Sequence, residues 1–174
     1  MDADNKLILS TPNTDLEQEY QAYIAEFAAS GEPAIFYRLP DEDFAAFVAQ
    51  LEREERGEGL PDWAVPQQTF WAVRDGRIVG ILKLRHRLTP ALENYGGHIG
   101  YAVRPSARGR GYACRMLALA LEHARALGLR RVLLTCNPDN HASARVIEKN
   151  GGVRDTDGIH PDTGLPHARY WITL

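Results

Sequence analysis

Arg108-Gly109-Arg110-Gly111-Tyr112-Ala113 sets two glycines between arginines, just before a run of helical character, Cys114 to Leu127. An alternating, strand-like segment, His98 to Val103, precedes it. A strand, a glycine-rich turn and a helix start aim several backbone N–H groups at one point, backed by the partial positive charge of the helix N-terminus. That is the chemistry of an anion site. Arg104, Arg108, Arg110 and Arg115 surround the turn, and no acidic residue occurs from Tyr101 to Leu121. The expected ligand therefore carries several negative charges, as a phosphate-bearing cofactor does. Glycine at 109 or 111 lets the backbone approach phosphate closely or take a positive φ, which a Cβ would hinder.

Three schemes place glycines at a helix start. A nucleotide P-loop needs Lys-Ser or Lys-Thr after its last glycine, and Tyr112-Ala113 stands there instead. A dinucleotide fingerprint needs a third small residue and a ribose-binding acid about 20 residues on. Gly109-x-Gly111-x-x-Cys114 is a partial match, with Arg131 near the expected acid. The third scheme depends on what surrounds the turn.

The elements that must position these residues can be read from periodicity. Lys6 to Leu9 suggests a first strand. Asp15 to Ala29 repeats Leu16, Tyr20, Tyr23, Ile24 and Phe27 on one helical face, and Gly31 and Pro33 stop it. A second helix, with Asp41 as its cap, carries Phe44, Phe47, Val48 and Leu51 up to the Gly57-Glu58-Gly59 break, and residues 57–68 read as a loop. Two β-rich runs, Phe70 to Val73 and Arg77 to Leu84, join through Asp75-Gly76 as a hairpin. Leu88 to Gly97 reads as irregular. After strand 98–103 come the glycine turn, a helix ending near Gly128, strand 131–136, a helix over about 140–150, and a final antiparallel pair around a turn at Asp162-Thr163-Gly164.

The 174 residues, 44% of them hydrophobic, are enough for one substantial core, so a single domain over 1–174 is expected. The net charge of −3 hides an asymmetry: residues 1–62 carry fifteen acids and four bases, and the remainder eight acids and sixteen bases. The basic residues cluster at one turn without a Lys/Arg stripe, which favours a small polyanion over nucleic acid. The acidic start lacks signal-peptide character and no apolar stretch approaches membrane-spanning length, so a cytoplasmic protein is expected. Two cysteines, Cys114 and Cys136, give neither a disulfide framework nor metal-ligand spacing. His160, Asp162 and His167 are too loosely spaced for a metal site, and none is expected.

Val103 to Ala113 resembles the acetyl-CoA signature of the GNAT N-acetyltransferase superfamily, Gln/Arg-x-x-Gly-x-Gly/Ala, met here by Arg108, Gly111 and Ala113. Thr135 to Gly152 resembles that superfamily's next strand end, its Asn-x-x-Ala/Ser helix start at Asn140 and Ser143, and its terminal glycine. The resemblance implies an α/β (α+β) fold: a mixed, mostly antiparallel sheet of about seven strands flanked by helices, its fourth and fifth strands splayed apart. It also implies acetyl-CoA as co-substrate. Its pantetheine would pair with the backbone of Tyr101, Ala102 and Val103, its pyrophosphate would sit within Arg108, Gly109, Arg110, Gly111, Tyr112 and Ala113, and Asn140 and Ser143 would line it from the following helix.

Acetyl transfer to an amine needs the ammonium deprotonated, a donor for the developing oxyanion and a proton for the thiolate. By resemblance, a backbone N–H near Val103 supplies the donor. The superfamily's usual glutamate and tyrosine fall here at Gly97 and Ile147, so both usual groups are absent. Tyr101 and Glu93 are the substitute candidates: Tyr101 from the strand face it shares with Ile99 and Val103, Glu93 from the preceding loop. His98 alternates to the other face and reads as packing or surface. The acids of residues 41–58 would attract a cationic amine if they face the acyl end. The function expected is transfer of an acetyl group to a primary amine of a small molecule or peptide, with a non-catalytic CoA-binding sensor as the alternative. A homodimer is compatible with the sequence; nucleic acid and membrane are not expected as partners.

Overall fold

The structure, a computed structural model, describes residues 6–32 and 43–174. Strand β1 (Ile8–Ser10) is followed by a 3-10 turn and helix α1 (Glu17–Ser30), which Gly31 terminates in the left-handed conformation at φ 70°. Helix α2 (Phe44–Arg56) is capped by Asp43, whose side chain accepts from the Ala46 N–H. Asp41, the cap expected from sequence, lies outside the described residues. Tyr20, Tyr23, Ile24 and Phe27 of α1 and Phe44, Phe47, Val48 and Leu51 of α2 are all buried, as their spacing demands.

Strands β2 (Gln67–Arg74) and β3 (Arg77–Arg85) form the expected hairpin. Asp75 and Gly76 both have positive φ, 50° and 72°, the requirement of a type I′ turn. Residues 88–97 are not irregular throughout. Pro90–Asn94 form a short helix, α3, capped by the Thr89 hydroxyl accepting from the Leu92 N–H, with Pro90 at its first turn.

Strand β4 (Ile99–Val103), a 3-10 turn (Pro105–Ala107) and helix α4 (Tyr112–Ala126) lead to β5 (Arg131–Cys136) and helix α5 (His141–Lys149). Short strands β6 (Val153–Arg154) and β7 (Gly158–Ile159) both pair with β8 (Pro166–Thr173). The eight described strands fall into two sheets, β1-β2-β3-β4 and β5-β8-β6 with β7 on β8, in place of one sheet of about seven. Every ladder among the described residues is antiparallel, and β4 and β5, joined through α4, approach each other without a ladder. The break falls between the fourth and fifth strands, where the splay was expected.

Two apolar layers hold the first sheet. Trp71, Ile81 and Ala102 pack with α1 and α2 on one face. Phe70, Leu82, Leu84 and Ile99 pack with Met116, Leu117 and Ala120 of α4 on the other, in a core that runs on to Val132, Leu134 and Tyr170 of the second sheet. A shared core crosses the break although no ladder does.

Candidate active site

The gap between β4 and β5 begins at one point. The His98 N–H donates to the Leu133 carbonyl at 2.7 Å, and the Leu133 N–H donates to His98 Nδ1 at 2.9 Å. Beyond this the strands part. Nδ1 as acceptor fixes the neutral ring with its proton on Nε2, and burial, with Arg85 and Arg131 nearby, pushes the His98 pKa down to about 4. His98 is thus a structural pin at the vertex.

Gly97 explains why the superfamily's usual glutamate is missing. Its φ is +65°, and a Cβ there would run into the Leu133 carbonyl. Ile147, at the usual tyrosine position, is 1% exposed and packed in the main core. Neither position can present a proton-transfer group.

Along β4, the Arg104 N–H donates to Val79 of β3, and the His98 carbonyl accepts from Arg85. Strand alternation therefore turns the backbone groups of Tyr101 and Val103 away from β3, toward the gap. The Val103 carbonyl accepts from Arg108 Nε at 3.1 Å, which agrees with that direction.

A groove of about 770 Å³ runs from this gap to the start of α4. Tyr101, Ala102 and Val103 line it from β4; Arg108, Gly109, Gly111, Tyr112 and Ala113 from the turn and α4; Asn140 and Ser143 from α5. Gly109 and Gly111 have φ of 74° and 80°. Gly111 caps α4 without any side-chain hydrogen bond, and the first helical bond back to it comes from Arg115. The N–H groups of residues 112–114 thus have no partner within the helix and open on the groove, which suits an anion.

The arginines divide differently from expectation. Arg104 is 5% exposed and points the other way, onto Glu19 at 3.1 Å and Glu26 at 2.5 Å of α1. Burial raises the Glu26 pKa, but hydrogen bonds from the Ser106 N–H and Arg104 outweigh it and hold it low. Arg108 is gripped by both oxygens of Glu32, at 2.6 and 2.7 Å, and lies over the Phe27 ring at 5.7 Å. Arg110 and Arg115 are exposed, and Arg110 does not line the groove. An anion is therefore received by the turn's backbone more than by a cage of four guanidinium groups.

The Tyr101 hydroxyl lies 2.9 Å from that of Ser143. Burial, with the Cys136 and Cys114 thiols nearby, pushes the Tyr101 pKa up to about 12 against the opposing Ser143 bond. Tyr101 thus keeps its proton across the neutral range. Asn140 caps α5, its side chain accepting from the Ser143 N–H at 3.1 Å, while it also faces the groove. Tyr112 is held by Arg74 at 2.9 Å. Glu93 stands exposed in the first turn of α3 and lines neither this groove nor the cavity described next, so it is not brought to Tyr101.

A second cavity, about 290 Å³, lies on the α2 face of the sheet between Glu54 of α2, the 60–65 loop, Lys83 and Arg85 of β3, and Leu92 of α3. Of the acids at 41–58, Glu54 lines this cavity. Sequence reasoning passed over Phe27, Glu32 and Arg85. The first two lie on or just beyond a helix face already assigned to the core, and Arg85 ends a strand with nothing in the sequence to show what it faces.

The profile of the Acetyltransferase (GNAT) domain matches residues 6–153. The chain belongs to the GNAT acetyltransferases. No curated protein matches it by sequence. Among solved structures, Mycobacterium smegmatis RimJ in complex with CoA-disulfide superposes with a TM-score of 0.70 at 22% identity, covering 95% of this chain and 81% of that one. The microcin C7 self-immunity acetyltransferase MccE, in complex with acetyl-CoA and AMP, gives 0.71 at 13% identity, covering 97% and 93%. The Salmonella typhimurium acetyltransferase that modifies the N-terminal serine of the 50S ribosomal protein L7/L12 gives 0.69 at 17%, covering 97% and 95%. At these identities the likeness is one of fold. No helix of the described residues is long and apolar enough to cross a membrane, and no cluster of three or more His, Cys, Asp or Glu suited to a metal occurs among them.

Proposed function

We propose that this GNAT acetyltransferase moves an acetyl group from acetyl-CoA to a primary amine of a small molecule or peptide. The observation that carries the reading is the continuity of one groove from the uncapped N-terminus of α4 to the Tyr101–Ser143 hydroxyl pair in the β4–β5 gap. One end suits phosphate and the other holds a proton donor. The glycine turn and the free first-turn N–H groups of α4 fit a pyrophosphate, and the outward backbone of Tyr101 and Val103 fits an amide-bearing chain laid along β4.

When bound, acetyl-CoA supplies a thioester whose carbonyl carbon forms the new N–C bond as its C–S bond breaks, the amine losing a proton and the departing sulfur gaining one. The Val103 N–H, turned toward the gap, is placed to stabilise negative charge on the carbonyl oxygen. Tyr101, neutral through the working range, holds the proton for the sulfur, which it can offer when Ser143 donates the hydrogen bond between the two hydroxyls. The second cavity, on the other face of the sheet, receives the acceptor. A thiol-release assay with acetyl-CoA across polyamines, amino acids, aminoglycosides and peptide N-termini tests the reading: amine-dependent release supports it. CoA binding with no release from any of them favours a sensor.

A further inference from the structure

Arg85 lines the second cavity as a cation without a described counter-ion. Its Nη1 donates to the carbonyls of Gly97 at 2.9 Å and Gly96 at 3.4 Å, and no carboxylate among the described residues pairs with it. A guanidinium has five N–H donors in a planar fork, and these bonds use one nitrogen. Burial opposes its charge, yet an arginine does not give up its proton in a protein. A half-buried guanidinium held by two neutral carbonyls is a receptor for an oxyanion, which it can bind bidentately.

Its place in the fold says which reactant brings that oxyanion. The β3 register carries Ile81 on the α1/α2 face, so Lys83 and Arg85 share that face, opposite the side on which α4 packs. Arg85 donates its own N–H to the His98 carbonyl, directly beside the vertex where β4 and β5 part. Lys83 stands opposite Gly100, which puts no side chain between the cavity and the gap. A ligand anchored on Arg85 is therefore next to the reacting end of the groove. Glu54, on the cavity's other wall and held by Gln67 at 3.1 Å, disfavours a polyanion and favours a ligand that also carries positive charge. A volume of about 290 Å³ lies just below the range typical of drug-sized ligands and suits something the size of one amino acid.

We infer that the acceptor is an amine that also carries a carboxylate, of amino-acid size, and that Arg85 binds that carboxylate. This rests on the acetyltransferase reading above. The test offers the free α-amino acids and their matching α-amides with acetyl-CoA, reading thiol release, product mass and thermal stabilisation for the wild-type protein, Arg85→Met and Arg85→Lys. One or more acids should exceed its amide in kcat/KM by about 10- to 100-fold, the worth of a charged hydrogen-bonded pair. Arg85→Met should collapse that ratio through KM, with Arg85→Lys between the two. Retained stabilisation by CoA shows that each variant is folded. CoA stabilisation with amides used as well as acids, or with the ratio unchanged in Arg85→Met, overturns the inference and leaves the acetyltransferase reading standing. CoA stabilisation with neither turnover of, nor added stabilisation by, any acid overturns it too. Failure of CoA to stabilise the wild-type protein overturns the acetyltransferase reading itself.

Discussion

His98 and Leu133 exchange two hydrogen bonds, backbone to backbone and backbone to ring, and these join β4 to β5 at the one place from which they diverge. The ring bond exists only while Nδ1 is unprotonated. With its pKa near 4 in the folded chain against an ordinary 6.5, His98 binds fewer protons folded than unfolded between those values. Its contribution is complete above about pH 6.5 and is lost as pH falls toward 4, on the order of 3 kcal/mol in all. Thermal midpoints measured from pH 7.5 to 4.5 should fall, and fall less in His98→Asn, whose carboxamide oxygen can accept from Leu133 without titrating. Equal slopes would remove His98 from this role.

Tyr101→Phe deletes the hydroxyl paired with Ser143 and keeps the ring. Turnover should drop by about 100-fold or more, the usual worth of a positioned acid, with CoA affinity little changed. Because Tyr101 ionises only near 12, wild-type kcat should show no alkaline loss between pH 7 and 10. A descending limb in that interval, or a fully active Phe variant, assigns the proton elsewhere.

Arg104 bonds Glu19 and Glu26 from a 5% exposed position and so fastens α1 to the end of β4. Arg104→Met leaves the partly buried Glu19 carboxylate without its cation and Glu26 with only the longer pair to Arg77 at 3.5 Å, and denaturant unfolding should register a loss of about 3 kcal/mol. A change below 0.5 kcal/mol would mean that the network is as weak as an ordinary surface pair.

Glu32 presents its carboxylate to the same groove as the glycine turn. The hydrogen bond from Arg108 keeps its pKa low, so it stays charged. Removing that charge with Glu32→Gln should tighten CoA by about 5-fold, ~1 kcal/mol, with the gain shrinking in high salt. Calorimetric titration decides it, and weaker binding would show that the ion pair shapes the site instead.

The proposed cofactor groove was legible in the sequence because the features that line it are local. Arg108 to Ala113 and Asn140 to Ser143 are short segments whose backbone does the work, and the glycine, cap and helix-start signals sit inside them. The second cavity, proposed for the acceptor, depends on residues far apart in the chain. Glu54, Arg85 and Leu92 meet only after α2, β3 and α3 have packed, and no spacing announces that. Alternation sends His98 away from Tyr101, which reads as packing or surface; the bend at Gly97 makes it the pin between sheets. Arg104 sits four residues from Arg108, yet alternation and burial turn it to α1. The helix at Pro90–Asn94 had its signal in Thr89-Pro90, a cap and a first-turn proline, but five residues are too few for periodicity to register.

The groove as a CoA site is the claim on which the rest depends, and ligand-induced thermal stabilisation of the purified protein tests it most directly. CoA at about 100 times its dissociation constant should add ~2.7 kcal/mol, raising the midpoint by about 5–10 °C for a chain of this size, while NAD and ATP leave it in place. Gly111→Trp, which forces a bulky side chain into a φ of 80° at the mouth of the groove, should keep the ligand-free midpoint within a few degrees and lose the CoA shift. No shift with CoA in the wild-type protein, or an equal shift with NAD, would contradict the account.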